Sequence, residues 1–249
     1  MLGLRGDETL LRLRKLAVLA GDIFYLRRLL KYGVAPAIEH ASLLRRLPFD
    51  FVVDVGANRG QFSLVCRRVR PAAKIVGFEP LPAPARIYRA LFAGDPDIRL
   101  CEAALGAVPG RMVMHVSARD DSSSLLPIAK AQTDNYPGSG EVGTHEVAVT
   151  TLPDALDPAE MGRCNLLKID VQGFELEVLR SAEPLLPRFT WVYVECSYIP
   201  LYEGQALADE IVNYLRDRGF KLSGQFNPSY TRTDRRLLQA DLLFESGFS

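Results

Sequence analysis

Phe51-Val52-Val53-Asp54-Val55-Gly56-Ala57-Asn58-Arg59-Gly60-Gln61-Phe62 decides the fold of this 249-residue chain. An apolar run, Phe51 to Val55, ends in a turn that carries two glycines four positions apart, Gly56 and Gly60. The segment that follows, Gln61 to Arg70, has helical spacing. Strand, tight turn and helix N-terminus in this order let a nucleotide-like ligand reach the backbone. Gly56 is expected to allow that approach, because a Cβ there would collide with the ligand. Asp54 stands at the carboxyl end of the strand, where open α/β sheets bind their ligands.

Outward from this stretch, strand-like and helix-like segments alternate. Lys74–Phe78 precedes a helix over 82–93, and Ile98–Glu102 follows. Asn165–Ile169 precedes a helix over 174–181, and Trp191–Glu195 one over 205–218. Such alternation predicts an α/β fold with a doubly wound, mostly parallel sheet. Phe220–Gln225 and Ala240–Glu245 have no comparable helix between them, which predicts a closing antiparallel pair and a seven-stranded sheet. Arg111–Ser117 and Glu146–Thr151 interrupt the alternation as an inserted hairpin. Its long tip, residues 118–145, with Asp120 to Ser124 and the polar, glycine-bearing run Gln132 to Thr144, is expected to be a mobile lid.

Residues 1–47 are expected to form an N-terminal helical cap, and 48–249 the catalytic domain. Leu10 to Leu19 and Ile23 to Leu30 mix apolar and basic residues at helical spacing, with Gly21-Asp22 as the break between two helices. Nine basic against five acidic residues give residues 1–50 a net charge of +4. A basic face turned to solvent explains this, and peripheral membrane or partner contact by these helices is the sharper alternative. The whole chain has a formal net charge of zero, which argues against a nucleic-acid binder. No apolar run approaches the length of a membrane span, and the first residues lack a signal-peptide pattern, so a cytoplasmic location is expected. The four cysteines, Cys66, Cys101, Cys164 and Cys196, form no C-x-x-C pair and fall in or beside apolar runs, as buried thiols do.

The glycine spacing separates ligands. A dinucleotide site wants G-x-G-x-x-G around a pyrophosphate, whereas here the pattern is Asp-x-Gly-x-x-x-Gly. A carboxylate before the turn repels phosphate and suits a cation. S-adenosylmethionine carries an ammonium and a sulfonium and no phosphate, and the pattern resembles motif I of the class I methyltransferases. Glu79 ends the second strand, 19 residues beyond Gly60, where a carboxylate accepts from ribose hydroxyls. Glu102 ends the third strand, beside Ala103, at the position expected to face adenine. Asp54, Gly56, Asn58, Gly60, Phe62, Glu79, Pro80, Glu102 and Ala103 are thus the expected cofactor residues.

Leu166-Leu167-Lys168-Ile169-Asp170-Val171-Gln172-Gly173-Phe174-Glu175 brings a second carboxylate, Asp170, to a strand end. Taken in order with Asp54 to Phe62, Gly77 to Pro80, Ala104 to Gly106, Ser122 to Leu125 and Thr151-Leu152, it resembles the FkbM family of S-adenosylmethionine-dependent methyltransferases. The resemblance covers roughly residues 50 to 200 and has one departure, Gln172 in place of the usual glutamate. It implies methyl transfer to a hydroxyl oxygen of a small molecule, glycan or lipid. Asp170 and Glu195, both at expected strand ends, are the candidate general bases, with His115 and His145 as alternatives. A divalent metal held by Asp170 is an added option. The competing reading is a catalytically silent binding or interaction module that works through the basic N-terminal helices.

Overall fold

The computed structural model describes residues 19, 21–119 and 121–247. In chain order its elements are α1 (Ile23–Tyr32), α2 (Ala41–Arg46), β1 (Phe51–Val55), α3 (Gln61–Val69), β2 (Lys74–Phe78), α4 (Pro82–Leu91) and β3 (Ile98–Cys101). Then come β4 (Ala104–Leu105), β5 (Gly110–Ser117), α5 (Lys130–Asn135), β6 (Glu141–Thr150), α6 (Leu152–Ala155) and β7 (Asn165–Ile169). The last are α7 (Glu175–Ala182), β8 (Trp191–Ser197), α8 (Ala208–Arg216), β9 (Phe220–Tyr230) and β10 (Leu237–Ser246).

One seven-stranded sheet has the order β3-β2-β1-β7-β8-β10-β9. Its first five strands are parallel, and β10 runs antiparallel to both β8 and β9. The expected architecture is therefore present, including the closing antiparallel pair. β1 is buried along its whole length, as a strand covered on both faces must be. Its alternate side chains go to opposite sides. Val52 joins a cluster with Leu44, Leu64, Val65 and Ile75. Val53 and Val55 join another with Leu167, Ile169, Val178 and Phe244. The chain winds β1-β2-β3 one way and β7-β8 the other, so the switch point lies between β1 and β7, the place where open α/β sheets form a crevice.

The described part of the N-terminal segment packs on this core. The Asp22 carboxylate caps α1 by accepting from Phe24 N at 2.9 Å, and pairs with Arg68 of α3 at 2.7 Å. Val34, Ala37, Leu43 and Leu44 belong to the same apolar cluster as Val52. The first expected helix, from Leu10, lies almost wholly outside the described residues.

The inserted hairpin is also present, as β5 antiparallel to β6 in a second sheet of order β4-β6-β5. Its second strand starts at Glu141, five residues before the expected Glu146. The expected mobile lid is corrected. Much of the connecting segment docks onto the body, with Gln132 and Ser139 only 1% and 0% exposed. Its polar side chains are spent on buried partners: Ser139 Oγ donates to Tyr136 O at 2.7 Å, and the Tyr136 hydroxyl to Gln239 Oε1 at 2.7 Å. Composition alone cannot separate hydroxyls that face water from hydroxyls that satisfy an interior.

Candidate functional site

A cavity of about 290 Å³ opens at the carboxyl ends of β1, β2 and β7. Its floor is the glycine turn after β1. Gly56 has φ 74°, and a Cβ there would sit 1.8 Å from the backbone oxygen of Asp170. Gly56 is therefore required by the neighbouring strand end. This corrects the expectation that it spares room for a ligand. Gly60, φ 93°, opens α3, and a Cβ there would meet Phe92 at 2.7 Å. Gly60 serves helix packing and does not line the cavity.

Gly56, Asn58, Phe62, Glu79, Pro80 and Ala103 line the cavity together with Asp170. The Glu79 carboxylate accepts from Asn58 N at 3.0 Å and Leu81 N at 2.8 Å, which fixes it at the rim of the turn. Burial pushes its pKa up to about 7 against the pull of those two backbone donors. Beyond it the wall is apolar, with Phe78, Ala103, Ala104, Leu105, Met114 and Leu125.

Asp54 does not reach the cavity. It is fully buried beneath the floor, where Oδ2 accepts from Ser63 Oγ at 2.6 Å and Oδ1 lies 3.1 Å from Lys168 Nζ. Its expected contact with the cofactor is thus corrected to a role in placing Lys168. Burial alone would lower the Lys168 pKa, but Asp54 and Asp170 outweigh it and hold the ammonium charged. Glu102 is corrected as well: it is exposed, is paired with Arg89 and is absent from the cavity wall. The next residue, Ala103, lines the cavity.

Asp170 lines the cavity with Oδ2 3.7 Å from Lys168 Nζ. Glu195 does not line it. Between the two stands Gln172, whose Nε2 donates to Asp170 Oδ1 at 2.8 Å and to Glu195 Oε2 at 2.8 Å. Gln239 Nε2 reaches the same Glu195 oxygen at 3.1 Å. Burial, and then the charges of Asp170 and Asp241, push Glu195 well above the usual carboxylate range. A carboxyl screened from the cavity by Gln172 cannot reach an acceptor there, which corrects its assignment as a general base. His115 pairs with Glu141 at 2.8 Å, His145 is exposed on β6, and neither lines the cavity. Glu175 Oε1 accepts from Gly173 N at 3.0 Å and Val171 N at 3.2 Å, and so holds the turn after β7.

Glu39, Asp121 and, most consequentially, His40 are lining residues that escaped the reading of the sequence. His40 enters the wall from the 3-10 turn Ile38–His40, ahead of the sheet. Its partners, Tyr193 and Asp241, are 153 and 201 positions away in the chain, so no local pattern marks it.

The cavity fits S-adenosylmethionine in its donor set. Four lining carboxylates, Glu39, Glu79, Asp121 and Asp170, face one lysine, and that lysine is already paired with Asp54. The balance favours a cation over a phosphate. Glu79 keeps acceptor capacity for hydroxyl donors, and the apolar wall beside Ala103 suits a flat heterocycle. Among the described residues no group of three or more His, Cys, Asp or Glu is gathered to hold a metal ion, so a divalent ion on Asp170 lacks a ligand set there. No helix of the described residues is long and apolar enough to cross a membrane.

Comparison with known proteins gives the following. A family profile described as the methyltransferase FkbM domain matches residues 54–222. The 2-O-methyltransferase NoeI of Sinorhizobium fredii is 30% identical over 191 residues, covering 74% of this chain and 77% of its own. The 31-O-demethyl-FK506 methyltransferase FkbM of Streptomyces tacrolimicus is 28% identical over 224 residues, covering 79% and 82%. The hexuronic acid methyltransferase AglP of Haloferax volcanii is 27% identical over 189 residues, covering 72% of each.

Proposed function

This chain belongs to the FkbM methyltransferase family, and on that premise we propose how its cavity serves the transfer and which acceptor it takes. It is an S-adenosylmethionine-dependent O-methyltransferase, which sets aside the silent binding module. The proposed acceptor is a hydroxyl of a small molecule or glycan. Support comes from the relatives, named for a 2-O position, a 31-O position and a hexuronic acid, and from a cavity rich in hydrogen-bond acceptors. The free cysteines fit a reducing, cytoplasmic setting.

The observation that carries the assignment of residues is that Glu79 and Asp170 face one cavity from opposite sides of the Gly56 turn. Glu79 would take the ribose hydroxyls, with the backbone from Gly56 to Asn58 along the floor and Ala103 against the adenine. When bound, the cofactor supplies an activated methyl on sulfonium. Asp170 is placed to hold the acceptor. Its carboxylate is already engaged by the Gln172 amide and faces the Lys168 ammonium, which suits it to fixing a hydroxyl rather than carrying a proton away. Holding reactants in line is worth up to ~7–11 kcal/mol in favourable cases.

Calorimetry with S-adenosylmethionine, followed by transfer of labelled methyl to a panel of methyl hexopyranosides and hexuronic acids, tests this. Asp170→Asn is expected to raise KM for the acceptor and leave cofactor affinity unchanged. An Asp170→Asn enzyme with wild-type KM would overturn the acceptor role. Wild-type-like cofactor affinity in Glu79→Ala would overturn the cofactor site.

A further inference from the structure

His40 has a geometry that the assignment above leaves unused. Its ring lines the cavity and packs edge-on against Phe62, with centroids 5.3 Å apart, and against Tyr193, 5.6 Å apart. Nδ1 lies 3.0 Å from the Tyr193 hydroxyl oxygen. That hydroxyl lies 3.0 Å from Asp241 Oδ2, to which Asn227 Nδ2 also donates at 2.7 Å. Asp241 is largely buried, its side chain 14% exposed, and its charge needs both donors. The single Tyr193 proton is therefore spent on Asp241, and the Tyr193 oxygen is left to accept from His40 Nδ1–H. Asn227 Nδ2 also stands 3.2 Å from Nδ1 and 3.3 Å from the Tyr193 oxygen, and with Nδ1 protonated its second proton goes to that oxygen.

This relay fixes the tautomer: Nδ1 carries the proton and Nε2 keeps a lone pair. No hydrogen bond among the described residues uses Nε2. With Nδ1 turned toward the sheet, Nε2 is the ring nitrogen left for the cavity. His40 and Asp241 also both lie outside the span matched by the family profile, residues 54–222. The relay thus joins one residue before that span to one after it through Tyr193 within it.

We propose that His40 Nε2 is the general base of this enzyme, with Tyr193 and Asp241 as its positioning residues. The proposal rests on the O-methyltransferase reading and deepens it. The acceptor O–H bond breaks and its proton passes to Nε2. The oxygen lone pair forms the new O–CH₃ bond as the C–S bond breaks, and that bond's electron pair remains on sulfur. The imidazolium so formed faces Asp241 at 3.7 Å on β10, the Tyr193 hydroxyl on β8 and Glu39 beside it on the same wall. Lys168 of β7 is a cation on the same side, with Nζ 5.6 Å from the Phe62 ring that lies against His40.

The chain has three histidines, so ¹⁵N NMR of the full-length protein resolves the ring directly. The expected result, before any acceptor is added, is a His40 signal with Nδ1 protonated and Nε2 bare. Tyr193→Phe removes the acceptor of Nδ1–H and leaves the Asn227 amide as a donor beside Nδ1, so it should shift the His40 signal toward the Nε2-protonated tautomer. A wild-type His40 ring protonated at Nε2, or a tautomer unmoved by Tyr193→Phe, overturns the relay. The turnover arm uses the methyl hexopyranosides and hexuronic acids. His40→Gln should lower kcat by about 10²–10⁴-fold while cofactor affinity by calorimetry stays at the wild-type value. Wild-type turnover in His40→Gln across the pH range overturns the base assignment. Absence of turnover in the wild type counts against the acceptor reading and leaves the NMR result to decide the relay.

Discussion

Lys168 and Asp54 form an ion pair beneath the cavity floor, Nζ to Oδ1 3.1 Å, with their side chains 7% and 0% exposed. Lys168 Nζ also touches the backbone oxygens of Val55 and Gly56 at 3.3 and 3.1 Å. The pair joins β1 to β7 at the point where their loops diverge. Removing one partner of a buried pair leaves the other charged and uncompensated, at a cost of ~3–5 kcal/mol. Lys168→Met should therefore lose about that much stability in urea denaturation, and Asp54→Ala should destabilise the fold before it affects any ligand. A loss below ~1 kcal/mol for Lys168→Met would show that the pair is not needed.

Glu79 gives two pH dependences of opposite sign. Its folded pKa of about 7 lies above the ordinary 4.5. The folded state thus binds the extra proton between these values, and stability falls as pH rises through the window. Glu175, raised by burial to about 7 as well, adds to the same slope. Ribose hydroxyls donate to the ionised form, so S-adenosylmethionine affinity should rise up to about pH 7 and then level. Glu79→Gln should bind roughly 10–100-fold more weakly, with the pH dependence gone. A Glu79→Gln protein that keeps the slope would place its origin elsewhere.

Gln172 donates to Asp170 and Glu195 at once, and its Oε1 accepts from the Tyr202 hydroxyl at 2.8 Å. Gln172→Glu replaces that donor with a third carboxylate. Like charges this close oppose ionisation, so the variant should melt well below the wild type at pH 8 and recover much of the difference near pH 5. Equal melting at both pH values would mean that the amide is not what holds the two carboxylates together.

The segment after β5 is docked by its own hydroxyls. Ser124 Oγ donates to Gln172 O at 2.6 Å, and short bridges join His115 to Ser124 and Ile128 to Tyr202. Limited proteolysis of the free protein should therefore spare residues 122–139. First cleavage within that span, suppressed by cofactor, would restore a mobile lid.

The sequence by itself determined the sheet and the location of the crevice. Buried parallel strands need near-continuous apolar runs, and Phe51–Val55, Asn165–Ile169 and Lys74–Phe78 show them without help from any distant residue. The carboxylates at their ends were legible for the same reason, because position at a strand end is local. Which way each carboxylate faces was not local. Asp54 turns under the floor because Lys168, 114 positions on, is there to meet it. Glu195 is hidden because Gln172 and Gln239 converge on it from separate elements. Gly56 is glycine because another strand's carbonyl crosses above it. His40 joins the site only because β8 and β10 bring Tyr193 and Asp241 beneath its ring. Apolar periodicity is written along the chain, whereas hydrogen-bond partners are chosen across it, and only the tertiary structure decides them.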